Sequence, residues 1–313
     1  MTQVYDRGYK KLFSNKGFFR QLLESFVPFA WVKELNFDQC ELLDKTFISK
    51  EHEKRESDVI YKVQLRGKTA YIVILIEFQS SPDKFMALRM LHYMVSFYMR
   101  LKDSEEKFEK LPAIFPIVVY SGQERWTAPI HLAELIENHE LLGEFALNFK
   151  YFKIAENEIE VERLLEISNV VSTLFLGEVH YDRMLLIQEL SKLLKQENHL
   201  MVSMLFNYFE QLFYHKKLDE VDWNALDKIR NQEEINMFLE NMKVCDEIAY
   251  QKGILEGKLE GKLEGKLETA KAMLARGFEV GLVVEVTGLS VEIVDQLRHS
   301  AILDSSTFIG NKI

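Results

Sequence analysis

Ser57-Asp58-Val59-Ile60-Tyr61-Lys62-Val63, the link Arg66-Gly67-Lys68, and Tyr71-Ile72-Val73-Ile74-Leu75-Ile76-Glu77-Phe78-Gln79 decide how this chain folds. The first segment alternates polar and apolar residues; the third opens as a continuous apolar run of buried-strand length. The short link suits a hairpin turn. Side chains alternate faces along a strand, so Glu77 and Gln79 belong to one side, at the end of the buried strand. A hairpin that brings Asp58 opposite them gathers two carboxylates and an amide at a sheet rim. Converging oxygen ligands with open positions suit Mg²⁺, which keeps waters and binds phosphate oxygens. That is the minimum apparatus for metal-assisted hydrolysis of a phosphodiester. Carboxylates near strand ends are common, however. The competing reading makes Asp58 a turn cap and Glu77 a solvated rim residue.

Working outward, residues 16 to 122 read as helix, three strands, helix, strand. Gly17 to Phe26 has helical apolar spacing and stops before Pro28. Glu41 to Ser49 is the candidate first strand. After the hairpin, Ser81 and Pro82 mark a helix start with Asp83 in its first turn, and the helix continues through Met86, Met90, Tyr93, Met94 and Phe97. Ile114-Phe115-Pro116-Ile117-Val118-Val119-Tyr120 gives the last strand, closed by Ser121-Gly122.

The αβββαβ order, with Asp on the second strand and Glu-x-Gln on the third, resembles the PD-(D/E)XK nuclease superfamily. Four stretches resemble one branch of it, the Rpn family of recombination-promoting nucleases or putative transposases. They are Tyr5-Asp6-Arg7-Gly8-Tyr9-Lys10-Lys11-Leu12-Phe13-Ser14, Glu77-Phe78-Gln79-Ser80-Ser81-Pro82-Asp83, Met86-Ala87-x-Arg89-Met90-Leu91-x-Tyr93, and Pro116 to Gly122 with Trp126. The resemblance covers residues 4 to 130. It implies an α/β restriction-endonuclease-like core with a mixed sheet and a metal-dependent DNA endonuclease of bacterial cytoplasm, linked to recombination and mobile elements. It also implies that a C-terminal fragment can be made separately and restrain the full protein.

Carried over residue by residue, the resemblance gives Asp58 and Glu77 as catalytic metal ligands, for Mg²⁺ with Mn²⁺ or Ca²⁺ as substitutes. Gln79 stands where many relatives in the wider superfamily carry Lys. A Lys would supply positive charge against the developing negative charge, whereas Gln offers a neutral amide. Charge compensation then falls more heavily on the metal, or on Lys62 or Arg89, which join Lys10 as candidate phosphate contacts. The bland reading of Arg89 is a surface helix residue, and of Asp6 and Lys10, anchors of the first helix. Glu24 is a candidate accessory ligand set against a plain solvated role.

A net charge of −10 over 313 residues argues against a surface coated for unspecific DNA binding, but not against a local basic cleft. Lys10, Lys11, Lys16 and Arg20 cluster near the N-terminus, and Lys62, Arg66 and Lys68 surround the hairpin. Cys40 and Cys245 are too few for a disulfide framework and lack metal-ligand spacing. With no apolar signal-peptide core and no apolar run near the roughly 20 residues that span a bilayer, the expectation is a soluble, cytoplasmic protein without membrane contact. No GxxxxGK[ST] loop supports nucleotide chemistry.

Beyond Trp126 the chain reads as helical over 131–143, 160–175, 181–197 and 200–214, with a candidate strand in 145–155. Met201, Met204, Leu205, Tyr208, Phe209 and Phe213 form a core stripe. From Gly253 to Glu268 a tetrapeptide recurs: Gly253, Gly257, Gly261 and Gly265 form one column, Leu255, Leu259, Leu263 and Leu267 another, with columns of Glu and Lys beside them. Four residues nearly match a helical turn. The run is a self-associating helix or a solvated linker; interior glycines and stacked like charges make it weak alone. Residues 269–299 then read helix, turn, helix, turn, helix, with Gly277 and Gly288 as stops and Ser290 as a cap. The outline resembles a helix-turn-helix. Its last helix carries Glu292 and Asp295 against Arg298, which favours protein contact over base reading.

The expected organisation is therefore a nuclease-like core over 1–130, a helical support or assembly region over 131–250, the repeat over 251–268, the helix-turn-helix-like module over 269–299 and a tail over 300–313. Two function classes stand: a Mg²⁺-dependent DNA endonuclease that self-associates through its C-terminal helical region, and a non-catalytic DNA-binding or assembly protein on a degenerate nuclease scaffold.

Overall fold

A computed structural model describes residues 2–43, 58–77, 81–104, 109–180, 182–215 and 228–307. The chain divides into two units, one up to residue 240 and one from 241 onward. In the first, helices α1 (Thr2–Phe13) and α2 (Lys16–Phe26) precede β1 (Glu41–Leu42), β2 (Asp58–Leu65), β3 (Lys68–Glu77), α3 (Met86–Asp103), β4 (Ala113–Tyr120) and β5 (Phe152–Ala155). Helices α4 (Val161–Ile167), α5 (Val170–Val179), α6 (Arg183–Gln196) and α7 (His199–His215) follow, and α8 (Gln232–Ala275) begins.

Among the described residues the strands form one sheet in the order β1-β2-β3-β4-β5. The first three pair antiparallel, and β3, β4 and β5 pair parallel, so the sheet is mixed. The β2–β3 hairpin closes through Arg66 (φ 53°) and Gly67 (φ 72°), two left-handed residues as a tight turn of matching twist requires. Only the start of the strand expected over 41–49 is seen, because 44–49 lie outside the described residues.

Strand β3 is apolar from Ala70 to Ile76 because both sheet faces are covered there. On one face, Ile60, Tyr71, Val73, Leu75, Val118 and Tyr120 pack against Met86, Ala87, Met90, Tyr93 and Phe97 of α3. On the other, Phe19 of α2 stacks on Tyr61 at 3.8 Å between ring centroids. The Tyr61 hydroxyl donates to the Ser14 carbonyl at 2.7 Å, tying the α1–α2 junction to β2. Asn15 caps α2 by accepting from the Gly17 amide at 2.8 Å.

Three sequence expectations need correction. Helix α3 starts at Met86 rather than at Ser81–Pro82, because the Asp83 side chain accepts from the Phe85 amide at 2.9 Å and holds a turn there. The stretch 131–143 is two short 3₁₀ segments, Leu132–Leu135 and His139–Phe145, interrupted at the left-handed Asn138 (φ 55°). The helix expected over 160–175 breaks at left-handed Ser168 (φ 45°) into α4 and α5. The apolar stripe of α7 is core as read: Met201, Met204, Leu205, Tyr208 and Phe209 are buried.

In the second unit the repeat is helical throughout, within α8, and α9 (Val280–Thr287) and α10 (Val291–Thr307) follow. Gly277 (φ 84°) and Gly288 (φ 63°) end α8 and α9 in the left-handed conformation that glycine tolerates best. Ala270, Val283, Leu289 and Val294 form a miniature core, flanked by Leu267, Leu274, Val284 and Leu297.

Candidate active site

The site is built from backbone register. Asp58 pairs with Leu75 and Ile60 with Val73. Residues directly opposite in an antiparallel pair share a face, and so do residues two apart on one strand. Positions 58, 75 and 77 therefore belong to the face that α3 covers. Asp58 and Glu77 are diagonal neighbours, a relationship that sets residues about 7–8 Å apart in an antiparallel pair. Their side chains, and all of Gln79, lie outside the described residues.

The rim continues across the parallel strands. Glu77 pairs with Tyr120, and Tyr120 with Ala155. One position further on stand Ser121 and Glu156. Glu156 is fully buried, and the Tyr9 hydroxyl of α1 donates to its carboxylate at 3.0 Å. Burial, then the nearby Glu178 carboxylate, push the Glu156 carboxyl well above the usual range, while hydrogen bonds from Ser121 and Tyr9 act the other way. Tyr208 donates to Glu178 at 2.7 Å, and its ring meets Tyr9 edge-on at 5.8 Å. Burial likewise raises the Tyr9 and Tyr208 hydroxyls. The Asn157 amide donates to the carbonyls of Gly122 (3.0 Å) and Glu124 (2.8 Å), fixing the loop after β4. The buried carboxyl thus ties Tyr9, from the 5–14 stretch, to the end of β5 beside β4. Nothing in the sequence marks Glu156, since glutamates are almost never fully buried.

The other candidates are scattered. Arg89, on α3, pairs with Asp83 at 3.0 Å. Lys62 stands four residues along β2 from Asp58, about 13 Å at strand rise, and pairs across to Tyr71. Lys10 lies in α1, its carbonyl accepting from the Ser14 hydroxyl at 2.6 Å. Glu24 pairs with Arg20 one turn back on α2, at 2.9 Å, and that helix covers the face opposite to positions 58 and 77. Asp6 lies inside α1, and its side chain is outside the described residues.

Carboxylates at positions 58 and 77 would offer hard oxygen donors, the class of ligand that suits Mg²⁺. Among the described residues no group of three or more His, Cys, Asp or Glu forms a metal-binding cluster. Among them, too, no helix is long and apolar enough to cross a membrane.

Comparison with known proteins places these features in context. A family profile described as a putative transposase, YhgA-like, matches residues 3–204, and one described as the C-terminal HTH domain of the Rpn/YhgA-like nuclease family matches residues 263–299. The recombination-promoting nuclease RpnC of Escherichia coli (strain K12) is 30% identical over 122 residues, 39% of this chain and 40% of that protein. The inactive recombination-promoting nuclease-like protein RpnE of the same strain is 31% identical over 104 residues, 33% of this chain and 34% of its own length. Recombination-promoting nuclease RpnD of Escherichia coli O157:H7 is 25% identical over 118 residues, 38% of this chain and 45% of its own. Each match thus spans less than half of the relative. No solved structure matches the chain.

Proposed function

Since this chain belongs to the family of YhgA-like putative transposases, within the Rpn nucleases, we propose that it is a metal-dependent DNA endonuclease acting in recombination or on mobile elements. The observation that carries this reading is the register of the β2–β3 hairpin, with Asp58 diagonal to Glu77 on one face. Asp58 and Glu77 would hold one or two Mg²⁺, with Mn²⁺ or Ca²⁺ as substitutes. Bound there, the ion would lower the pKa of a water and neutralise charge on the scissile phosphate. Gln79 would orient that water by hydrogen bonding, and Lys10, Lys62 and Arg89 would contact DNA phosphates. The match of residues 263–299 to an HTH domain supports a DNA partner. Self-association would run through the C-terminal helical region, where a separately made fragment of the chain would also bind.

A second reading, a DNA-binding or assembly protein on a degenerate scaffold, is favoured by Gln79 in place of Lys and by a relative named inactive. Plasmid cleavage in Mg²⁺, Mn²⁺ or Ca²⁺ separates the two. The endonuclease reading expects nicking by the parent and none by Asp58→Ala or Glu77→Ala. Cleavage unaffected by both substitutions removes the site. Tight DNA binding without cleavage in any of the three metals leaves the second reading.

A further inference from the structure

Phe145 is 84% exposed, more than any other large apolar side chain among the described residues, and Leu141 follows at 75%. Both lie in the 3₁₀ segment His139–Phe145, on a loop that emerges from an isolated antiparallel bridge between His131 and Lys150. The loop is held in shape by its own contacts. His139 Nε2 lies 2.9 Å from the Leu147 carbonyl oxygen, and Gly143 (φ 55°, ψ −122°) takes a backbone conformation that a residue with Cβ adopts poorly. Large apolar groups held out in water by an ordered loop mark an interaction surface.

At the foot of the same loop lies an open cavity of about 450 Å³, with room for an aromatic side chain. Met94 of α3, Ile114 and Pro116 of β4, and Phe149 give it apolar walls, and His131 and Lys150 stand exposed at its edge.

We propose that Phe145 of one copy of this chain seats in the cavity of a second copy, and the reverse, in a two-fold dimer. The loop and the cavity adjoin at the His131–Lys150 bridge, so one two-fold rotation engages both pairs, the reciprocity of an isologous contact. Charge selects the occupant. Residues 136–147 carry Glu137, Glu140 and Glu144 and neither Lys nor Arg, so the tip repels a phosphate backbone or an anionic membrane. The cavity edge offers the opposite sign in Lys150, a partner for the exposed Glu144 beside the seated ring. Glu134, the acid closest in the chain to His131, accepts from the His131 backbone amide at 3.4 Å. This contact is separate from association through the C-terminal helices, and it stands whether or not the chain cleaves DNA.

The test is cross-linking of the full chain without DNA, in a Cys40→Ala, Cys245→Ala background, with circular dichroism confirming the fold of each variant. Protein carrying Phe145→Cys, mixed with protein carrying Asn148→Cys in the cavity lining, is expected to form a mixed dimer with a short bismaleimide. Phe145→Cys alone is expected not to link. Introduced into both proteins, Glu144→Lys or Lys150→Glu should each lower the yield several-fold, and the two together should restore it. A loss of folding would not be rescued in that way. Absence of the mixed cross-link in folded protein overturns the proposal. So does self-linking of Phe145→Cys, which would set tip against tip, or a yield that neither charge reversal changes. Plasmid binding that Phe145→Asp abolishes, with no mixed dimer formed, would assign the loop to DNA instead.

Discussion

Asp58 pairs with Leu75 across the β2–β3 hairpin, two residues short of Glu77, and this register sets the two acidic positions on one face of the sheet. A slip of one residue would move Asp58 to the other face. The register is held by the two-residue turn and by burial of both faces of β3, so the candidate site inherits its geometry from packing.

The turn gives the first prediction. Gly67 sits at φ 72°, where a side chain is strained. Gly67→Ala is expected to lower stability by about 1–2 kcal/mol in urea denaturation. Cleavage should survive, because the strands on either side keep their register.

The second concerns the buried Glu156 carboxyl, whose pKa burial, then the nearby Glu178, push well above the usual range. Its folded pKa is raised above its unfolded value, near 4.3. Below that value both states are protonated and the contribution is fully present. As pH rises from about 4.3 toward the folded pKa, the unfolded chain releases its proton first, and stability is lost. Glu156→Gln is therefore expected to flatten the fall in melting temperature as pH rises above about 4.3. An unchanged slope would mean that another group carries it.

The third concerns the repeat in α8. A Cβ added at Gly257 or Gly261 would meet nothing within 4 Å in the single chain. Gly257→Ala and Gly261→Ala are each expected to stabilise the helix by about 1 kcal/mol, read from helical circular dichroism on heating. Weakened self-association in the same variants would identify the glycine column as a packed face.

Much of this was readable in the chain because it rests on period and on glycine. The apolar run of β3 and the alternation of β2 gave the hairpin, and Gly277 and Gly288 gave the stops of α8 and α9. The misplaced elements turn on local polar or left-handed residues that periodicity does not weigh: Asp83 delaying α3, Asn138 interrupting the 3₁₀ segments, Ser168 dividing α4 from α5. In the site, positions 58 and 77 followed from strand alternation. Glu156 did not, because its hydrogen-bond partner Tyr9 lies 147 residues away, a tertiary contact with no local signature.

Direct measurement of Mn²⁺ binding, by electron paramagnetic resonance or calorimetry, tests whether the two acids share an ion. Saturable binding by the parent, lost in both Asp58→Ala and Glu77→Ala while each keeps its helical signal, is the expected result. Binding of undiminished affinity in either folded variant would contradict it.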